Sequence, residues 1–317
     1  MNLRIGSRGS QLALWQANHI AALLRGEGHS VEIEIIKTTG DRLQEVTFAQ
    51  VGSKGMFTKE IEEALAEGRV DLAVHSLKDL PTELPEPFTL AATPARVDPR
   101  DVFVSVKYES LAALPPGARV GTSSQRRRAQ LKALRPDIEA VEFRGNVDTR
   151  LRKLVEGQVG AILLAAAGLD RLEKTEWVRE RLEPKDFCPA AGQGSLGIET
   201  RKNDAATIAS VAFLDDAGTR FAVTVERAAL AALGGGCQVP IGIHCRKSVE
   251  QPTENHNGQC VEIFAVVAAP ETGSAVRVFH RAVLAEADPT KLGRLVAQKL
   301  IEAGAGPLLE AAGEASR

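Results

Sequence analysis

The segment Ala191-Gly192-Gln193-Gly194, followed by the strand pattern Ser195-Leu196-Gly197-Ile198-Glu199, decides how the fold of this chain is interpreted. Two series of short apolar strands alternating with amphipathic helices precede it, which is typical of βαβ units and a mainly parallel sheet. The two series join near residues 95–100, so the quoted segment is predicted to be a second connection between them. Two connections between two α/β lobes predict a hinge beside a cleft.

The predicted elements of both series follow from strand-length apolar runs and helical periodicity. Ser10 is the predicted N-cap of the first helix. Residues 41–55 show little periodicity and are predicted to form a surface loop. The predicted strands are 3–5, 31–36, 72–76, 102–104, 119–120, 138–143, 161–164 and 195–199, and the helices are 58–67, 124–134 and 147–156.

The pattern changes after Thr219, where a helix, three strands and a final helix over 289–303 predict a small α+β domain. The polar residues 247–259 are predicted to be a loop inside it. We therefore expect an α/β protein with two lobes like those of periplasmic binding proteins and a third, C-terminal domain. The predicted domains are 1–96 with 195–214, 97–194, and 217–317.

Composition excludes several classes of function. A formal charge of −2 and 4% aromatic residues give neither a global field nor stacking platforms for nucleic acid. The N-terminus lacks an apolar signal core and the longest apolar run is too short for a bilayer, so the protein is predicted to be cytoplasmic. The four cysteines form no C-x-x-C pair and no zinc-type spacing, which predicts free thiols and no metal site.

Three predicted strand-to-helix turns place small or hydroxyl residues beside arginine. Free N–H groups at a helix start, together with arginine, form sites for carboxylate or phosphate. For arginines 126–128 a solvated helix face is the competing interpretation. If all three turns face one cleft, they favour a ligand with several negative groups. The turns are Gly6-Ser7-Arg8-Gly9-Ser10, Gly121-Thr122-Ser123-Ser124-Gln125-Arg126-Arg127-Arg128 and Arg144-Gly145-Asn146-Val147-Asp148-Thr149-Arg150.

A cation and a carboxylate, Lys78 and Asp79, follow a predicted strand in Ala73-Val74-His75-Ser76-Leu77-Lys78-Asp79-Leu80-Pro81. Ligands of α/β proteins bind at this end of the strands. Asp79 is either a structural partner for arginine or lysine, or a group that stabilises a cationic intermediate. The residues alone leave both interpretations open. His75, within the strand, is interpreted as a packed residue.

Cys237 lies in Gly234-Gly235-Gly236-Cys237-Gln238-Val239-Pro240. Three glycines remove side-chain bulk and permit positive φ, so another group can approach the sulfur closely, and Pro240 stiffens the exit. The competing interpretation is a small buried thiol in an ordinary turn.

Six motifs in the same order along the chain resemble the porphobilinogen deaminase family, also called hydroxymethylbilane synthases. The resemblance runs from Arg4 to about Ala303; Ser53 and Gly234 depart from the usual pattern, and 247–259 matches nothing in it. The motifs are Ala13-Leu14-Trp15-Gln16-Ala17, Gly52-Ser53-Lys54-Gly55-Met56-Phe57, Val74-His75-Ser76-Leu77-Lys78-Asp79, Gly121-Thr122-Ser123-Ser124, Arg144-Gly145-Asn146-Val147 and Gly235-Gly236-Cys237-Gln238-Val239-Pro240.

The resemblance implies a dipyrromethane cofactor attached to Cys237 by a thioether and Asp79 as the catalytic carboxylate. It implies that porphobilinogen is the substrate, that hydroxymethylbilane is the product and that the protein is a monomer. Further residues are implied to contact the cofactor, the substrate or both. For the cofactor these are Ser76, Lys78, Ser124, Arg126, Arg127, Gly145 and Arg150, and for the substrate Arg8, Gln16, Lys54 on a lid loop, Phe57, Arg144 and Arg171.

Two other functions compete with this one. Two lobes with anion-binding helix starts also describe solute-binding proteins, which usually carry an export signal or a fused DNA-binding domain. A cysteine-nucleophile amidase or acyltransferase using Cys237 is the second alternative, but no histidine stands in a recognisable motif to activate the thiol.

Overall fold

A computed structural model describes residues 1–39, 58–235, 240–248 and 259–314. Its strands form two five-stranded sheets and one three-stranded sheet. This arrangement confirms the predicted α/β class, with two lobes and a smaller third domain. The predicted loop at 41–55, most of the loop at 247–259, and the residues Lys54, Phe57 and Cys237 lie outside the described residues.

The first lobe begins where the sequence predicts. The hydroxyl of Ser10 accepts a hydrogen bond from the backbone N–H of Ala13 and so caps the first helix. Ile20 and Leu24 of that helix pack on Leu3 and Ile5 of the first strand. The elements are β1 (Asn2–Ser7), α1 (Gln11–Gly26), β2 (Ser30–Ile35), α2 (Lys59–Ala66), β3 (Leu72–Ser76) and β4 (Phe88–Ala92).

The second lobe repeats this pattern. Its elements are β5 (Asp101–Val104), β6 (Arg119–Gly121), α3 (Gln125–Leu134), β7 (Glu139–Val141), α4 (Val147–Val155), β8 (Ala161–Ala165), α5 (Ala166–Arg171) and β9 (Val178–Leu182). The sheet order is β7-β6-β8-β5-β9. β4 and β9 were not predicted from the sequence. Both are edge strands. β9 carries three charged residues in five and so lacks the apolar run of a central strand, whereas β4 is apolar at four of its five positions and held a strand signal that was not used.

The prediction of mainly parallel sheets is wrong for half of the pairings. The strand β10 (Leu196–Arg201) returns to the first lobe and lies antiparallel between β3 and β4, while β5 lies antiparallel between β8 and β9. Both strands enter a sheet directly from a connection between lobes. No crossover helix precedes them, so nothing returns the chain to the same edge of the sheet in the parallel direction.

The third domain packs one face of an antiparallel sheet against two helices. Gly293 permits the close approach of those helices, because a Cβ there would lie 2.4 Å from the carbonyl oxygen of Val225. The other face contacts α3 through Ala129 and Val266. The elements after β10 are α6 (Ala205–Val211), α7 (Ala217–Ala232), β11 (Ile241–Lys247), β12 (Cys260–Ala268), β13 (Ala275–Val283), α8 (Pro289–Leu300) and α9 (Gly306–Glu314).

The two connections between the lobes touch backbone to backbone. Gly194 has φ 89°, and a Cβ there would lie 2.7 Å from the carbonyl oxygen of Val97. A side chain at this position would separate the connections, so the glycine is required for both its conformation and its size. This close pairing supports the predicted hinge.

One buried carboxylate, Glu226 of α7, joins both connections to the third domain. It accepts two hydrogen bonds from the guanidinium of Arg96, at 2.6 and 3.1 Å, and one each from the backbone N–H groups of Gly192 and Cys245. Burial by itself would raise the pKa of Glu226, but Arg96 and the hydrogen bonds lower it to about 2. We call this cluster the Glu226 junction.

A cavity of about 720 Å³ lies beside the Glu226 junction, between residues 95–100 and 244–247. None of the predicted site residues that the structure describes lines it. Within the described part of the chain, no helix has both the length and the apolar character needed to cross a membrane.

Candidate active site

Two predicted site residues of the first lobe meet at the end of β3. Ser76 is the last residue of that strand, and its hydroxyl accepts a hydrogen bond of 2.9 Å from the Nε2 of Gln16. Gln16 lies on the inner side of α1 and is only 2% exposed. A buried amide requires a partner, and the serine hydroxyl supplies it. The structure therefore brings together two residues that are 60 positions apart in the sequence.

Lys78 and Asp79 follow in the 3₁₀ turn Leu77–Asp79 and differ sharply in environment. The ammonium of Lys78 lies 3.4 Å from the Oε1 of Gln193, and the side chain is half-buried. Burial lowers the pKa of Lys78 to about 8, with Asp79 opposing the shift and Arg127 adding to it. Asp79 is exposed, and no described residue makes a hydrogen bond or ion pair with its carboxylate.

Arg126 and Arg127 of α3 do not form the solvated helix face that was the competing interpretation. They are 5% and 6% exposed, and both pair with the carboxylate of Asp101 at distances between 2.6 and 3.2 Å. Arg127 also donates to the carbonyl of Leu163 at 3.0 Å. The hydroxyl of Ser124 caps α3 by accepting from the backbone N–H of Arg127.

Asp101 was not predicted as a site residue. It is fully buried as the first residue of β5. Burial would raise its pKa, but Arg126 and Arg127 hold the pKa of Asp101 far below its ordinary value. Because one carboxylate faces two guanidinium groups, one positive charge is not neutralised. A charged residue directly before the apolar run Val102-Phe103-Val104 was the available sequence signal.

The environment of Arg150 on α4 differs from that of Arg126 and Arg127. Its Nε is buried and has no hydrogen-bond partner among the described residues. Burial lowers the pKa of Arg150 to about 10, and the positive charges of Arg127 and Arg144 add to the shift while Glu142 opposes it. A buried donor without an acceptor is costly, and an anionic ligand would remove that cost.

The turn before α4 contains the other predicted residues of that motif. Arg144 donates to Glu142 at 2.6 Å, so part of its hydrogen-bonding capacity is already used. Gly145 has φ 120°, and a Cβ there would lie 2.7 Å from the methyl carbon of Thr149. Any other residue at 145 would be strained, so the glycine shapes the helix start.

Arg171 links the lobes from the end of α5. It is 7% exposed, donates to the carbonyl of Gly194 at 2.9 Å, and lies 6.0 Å from the ring of Trp15 on α1. Burial lowers the pKa of Arg171 to about 10, with Asp170 opposing the shift. Arg8 lies half-buried in the turn between β1 and α1. Arg171 therefore lies at the junction of α1 with the second lobe.

The ends of the cysteine turn are described, although Cys237 is not. Gly234 has φ 66°, so the expected positive φ is present there. A Cβ at Gly235 would lie 2.6 Å from Leu230 and 2.8 Å from Ile241. The small residue at 235 therefore fits the close packing of Leu230 and Ile241 within the third domain. Pro240 is buried where the turn ends.

The other three cysteines are buried or half-buried. Cys188 and Cys245 are 1% exposed, and burial raises the pKa of both thiols well above the ordinary value. Cys260 is half-buried in β12. His75 is a packed strand residue as predicted, with its Nε2 at 2.9 Å from Glu199.

Two further residues were missed although the sequence held a signal for each. Gln193 stands in the connecting segment between two glycines. Glu226 falls on the apolar side of α7 with Ala222 and Ala229, where a charged residue requires a buried partner.

Comparison with known proteins gives a consistent result. Residues 3–209 match the family model "Porphobilinogen deaminase, dipyromethane cofactor binding domain", and residues 220–302 match "Porphobilinogen deaminase, C-terminal domain". A porphobilinogen deaminase of Trichlorobacter lovleyi is 48% identical over 97% of this chain and 96% of its own. One from Roseiflexus castenholzii is 47% identical over 97% and 98%.

Solved structures of solute-binding proteins align with the chain at lower similarity. A putative methionine-binding lipoprotein of Bacillus subtilis has 13% identity and a TM-score of 0.42 over 67% of this chain and 89% of its own. The methionine-binding protein MetQ has 12% identity and a TM-score of 0.44 over the same shares.

Proposed function

The chain belongs to the porphobilinogen deaminase family, and from this premise we propose that it deaminates porphobilinogen and joins four molecules head to tail into hydroxymethylbilane. The primer is a dipyrromethane cofactor attached covalently to the protein. When bound, this group supplies the pyrrole carbon to which the first substrate is joined.

The described residues fit a cofactor that carries carboxylates. The observation that carries the proposal is Arg150, whose buried Nε has no acceptor among the described residues although Arg127 and Arg144 add positive charge nearby. Arg126 and Arg127 leave one positive charge beyond what Asp101 neutralises. Acetate and propionate groups would supply the missing acceptors and charges.

Arginine is suited to this task because its guanidinium keeps its charge in a buried site and binds carboxylate with two hydrogen bonds. We assign carboxylate binding to Arg126, Arg127 and Arg150 on the cofactor side and to Arg8, Arg144 and Arg171 on the substrate side. Ser124 and Gly145 shape the helix starts that hold the first group. Ser76 and Lys78 contact cofactor side chains, while Gln16, Phe57 and Lys54 line the substrate side.

Asp79 is the proposed catalytic carboxylate. Loss of ammonia from porphobilinogen leaves a cationic azafulvene, which needs a negative charge close by. A carboxylate about 4 Å from a unit positive charge supplies ~4 kcal/mol at an effective dielectric constant near 20. That free energy corresponds to roughly a thousandfold in rate. The exposed carboxylate of Asp79, to which no described residue donates a hydrogen bond, is available for this role.

Cys237 is the proposed point of attachment. Its carbon–sulfur bond is formed once and anchors the cofactor during turnover, so no histidine base is required beside it. The buried thiols of Cys188 and Cys245 are poor alternatives because their raised pKa leaves almost no thiolate. The cysteine turn begins directly after α7, which the Glu226 junction ties to both lobe connections.

We further propose a cytoplasmic monomer that binds no nucleic acid. The formal charge of −2 supports the last point because a nucleic-acid-binding surface is usually strongly basic. The domain boundaries predicted from the sequence are part of the same proposal.

Intact mass spectrometry tests the proposal most directly. Freshly purified protein is expected to exceed its chain mass by one dipyrromethane, and Cys237→Ser is expected to lose that increment while Cys260→Ser retains it. An unmodified mass for the wild-type protein, or an increment that survives Cys237→Ser, would contradict the covalent attachment. Wild-type protein should also release one ammonia for each porphobilinogen consumed.

A further inference from the structure

We propose that Gln193 is a positioning residue for this reaction. Its amide links Lys78 of the first lobe to Asp101 of the second lobe, and Asp101 in turn binds the pair Arg126 and Arg127. The Nε2 of Gln193 donates to the carboxylate of Asp101 at 2.9 Å and to the carbonyl of Pro99 at 2.7 Å. Its Oε1 faces the ammonium of Lys78 at 3.4 Å. The inference rests on the proposed function, which gives Lys78 and the arginines a shared ligand.

The chemistry of the neighbours fixes the orientation of this amide. An ammonium only donates hydrogen bonds, so it must face the amide oxygen. A carboxylate and a backbone carbonyl only accept, so they must face the amide nitrogen. Of the uncharged side chains, glutamine and asparagine present both groups in a fixed arrangement, and glutamine has the longer reach.

The backbone of Gln193 is held as firmly as its side chain. Its carbonyl accepts from the Nε of Arg96 at 2.8 Å, and its N–H donates to the carbonyl of Ala190 at 3.0 Å. On either side, the N–H of Gly192 binds Glu226 and the carbonyl of Gly194 accepts from Arg171. Gln193 is 1% exposed. The amide is therefore fixed relative to the hinge.

The two ends of the amide are held unequally. Contacts of 2.7 and 2.9 Å attach Gln193 to residues at the start of the second lobe, whereas the contact to Lys78 is long for a hydrogen bond. Gln193 thus belongs to the charge cluster of the second lobe and reaches across to the first. It sets the spacing between the ammonium and the arginine pair, which otherwise repel each other.

A pair of substitutions and a matched control test this role. Gln193→Leu removes both polar ends of the amide. Gln193→Glu keeps its shape and its acceptor oxygen, but it offers a donor only when the new carboxyl group is protonated. Gln130→Leu is the control, because Gln130 is also fully buried but its amide bonds mainly to the backbone of Cys188. All proteins are studied as purified full chains.

The first measurement follows the ¹³Cε shift of Lys78 against pH without substrate, assigned with Lys78→Arg. Loss of the acceptor oxygen disfavours the charged form, so Gln193→Leu is expected to lower the titration midpoint of Lys78 relative to wild type. Gln130→Leu should leave the midpoint unchanged. An unchanged midpoint in Gln193→Leu would overturn the link to Lys78, and this result does not depend on catalytic activity.

The second measurement is the pH profile of porphobilinogen consumption, with the intact mass recorded for each variant. Gln193→Leu is expected to lower kcat about tenfold or more, since small displacements of binding groups can cost up to ~10²-fold. Gln193→Glu keeps an acceptor for Lys78 but, when ionised, loses the donor to Asp101, so its kcat should be reduced at alkaline pH and should approach wild type on acidification. Equal profiles for the two variants, or a kcat for Gln193→Leu within about twofold of Gln130→Leu, would overturn the proposal. A wild-type protein without activity would overturn the proposed function alone.

Discussion

The first lobe presents its candidate catalytic group, Asp79, exposed and without a bond to any described residue, whereas the second lobe buries Arg126 and Arg127. Arg126 and Arg127 are fixed by Asp101 before any ligand binds. The difference fits two separate roles for the charged groups. A carboxylate that must meet a transient cation stays accessible, while cations that hold a persistent polyanion are desolvated and oriented in advance, so that binding costs little reorganisation.

The largest expected effect comes from removing the charge of the exposed group. Asp79→Asn should lower the rate of ammonia release by roughly a thousandfold, because the cationic intermediate loses ~4 kcal/mol of stabilisation. The dipyrromethane mass and the urea midpoint should change little, since no described residue bonds to this carboxylate. Glu83→Gln, at a nearby exposed position, is the control and should retain wild-type turnover. Turnover of Asp79→Asn within about twofold of that control would remove Asp79 from the chemistry.

The second prediction concerns the buried group: Asp101→Asn removes the charge that pairs with Arg126 and Arg127. Two buried guanidinium groups then lose their charged partner, and the free energy of unfolding should fall by about 3–5 kcal/mol. Urea denaturation at neutral pH measures this loss, and intact mass shows whether the cofactor is still bound. Asp137→Asn, which removes the exposed partner of Arg135, should cost far less. Similar losses in the two variants would mean that burial does not increase the contribution of the Asp101 ion pairs to the free energy of unfolding.

The Glu226 junction predicts a pH dependence of stability. The folded-state pKa of Glu226 is about 2, below the ordinary value near 4.5, so its stabilisation is present above pH 4.5 and is lost as the pH falls toward 2. The lowered pKa corresponds to about 3 kcal/mol. Glu226→Gln should therefore be less stable than wild type at pH 7, and the difference between them should shrink at pH 3. Urea midpoints at both pH values decide this, and a constant difference would contradict the assignment.

The smallest expected effect comes from a substitution at Arg150 in the second lobe. Arg150→Met removes a half-buried cation whose buried Nε has no acceptor among the described residues, so the free energy of unfolding of the cofactor-free chain should stay constant or rise by about 1 kcal/mol. The fraction of chain that carries dipyrromethane should fall, because one carboxylate-binding group is gone. Urea denaturation of the Cys237→Ser background and intact mass measure the two quantities separately. A clear loss of stability would mean that Arg150 is a structural residue.

Local signals made much of the fold predictable. Ser10, Ser124 and Asn146 cap helices at the positions where hydroxyl or amide residues precede an amphipathic run. The edge strand β9 was missed because three of its five residues are charged, whereas the apolar residues of β4 held a signal that was not used. The direction of β5 and β10 could not be read from local periodicity, since it depends on which lobe the chain has just left.

The same limit applies to the candidate site. The sequence marked Arg126 and Arg127 but left a solvated helix face as an alternative, and only the structure shows both buried on Asp101. Gln193 and Glu226 acquire their importance through partners about 20 to 130 residues away.

The sequence by itself determined the α/β class, the two connections between lobes, the third domain and the family, because these depend on local periodicity and on motifs in fixed order. The tertiary structure alone decided which charges are paired and which remain available. Asp101 takes up the charge of one of two arginines, the Nε of Arg150 is left without an acceptor among the described residues, and Asp79 stays in solvent. Charge pairing and burial depend on distances between residues far apart in the chain, which no local pattern specifies.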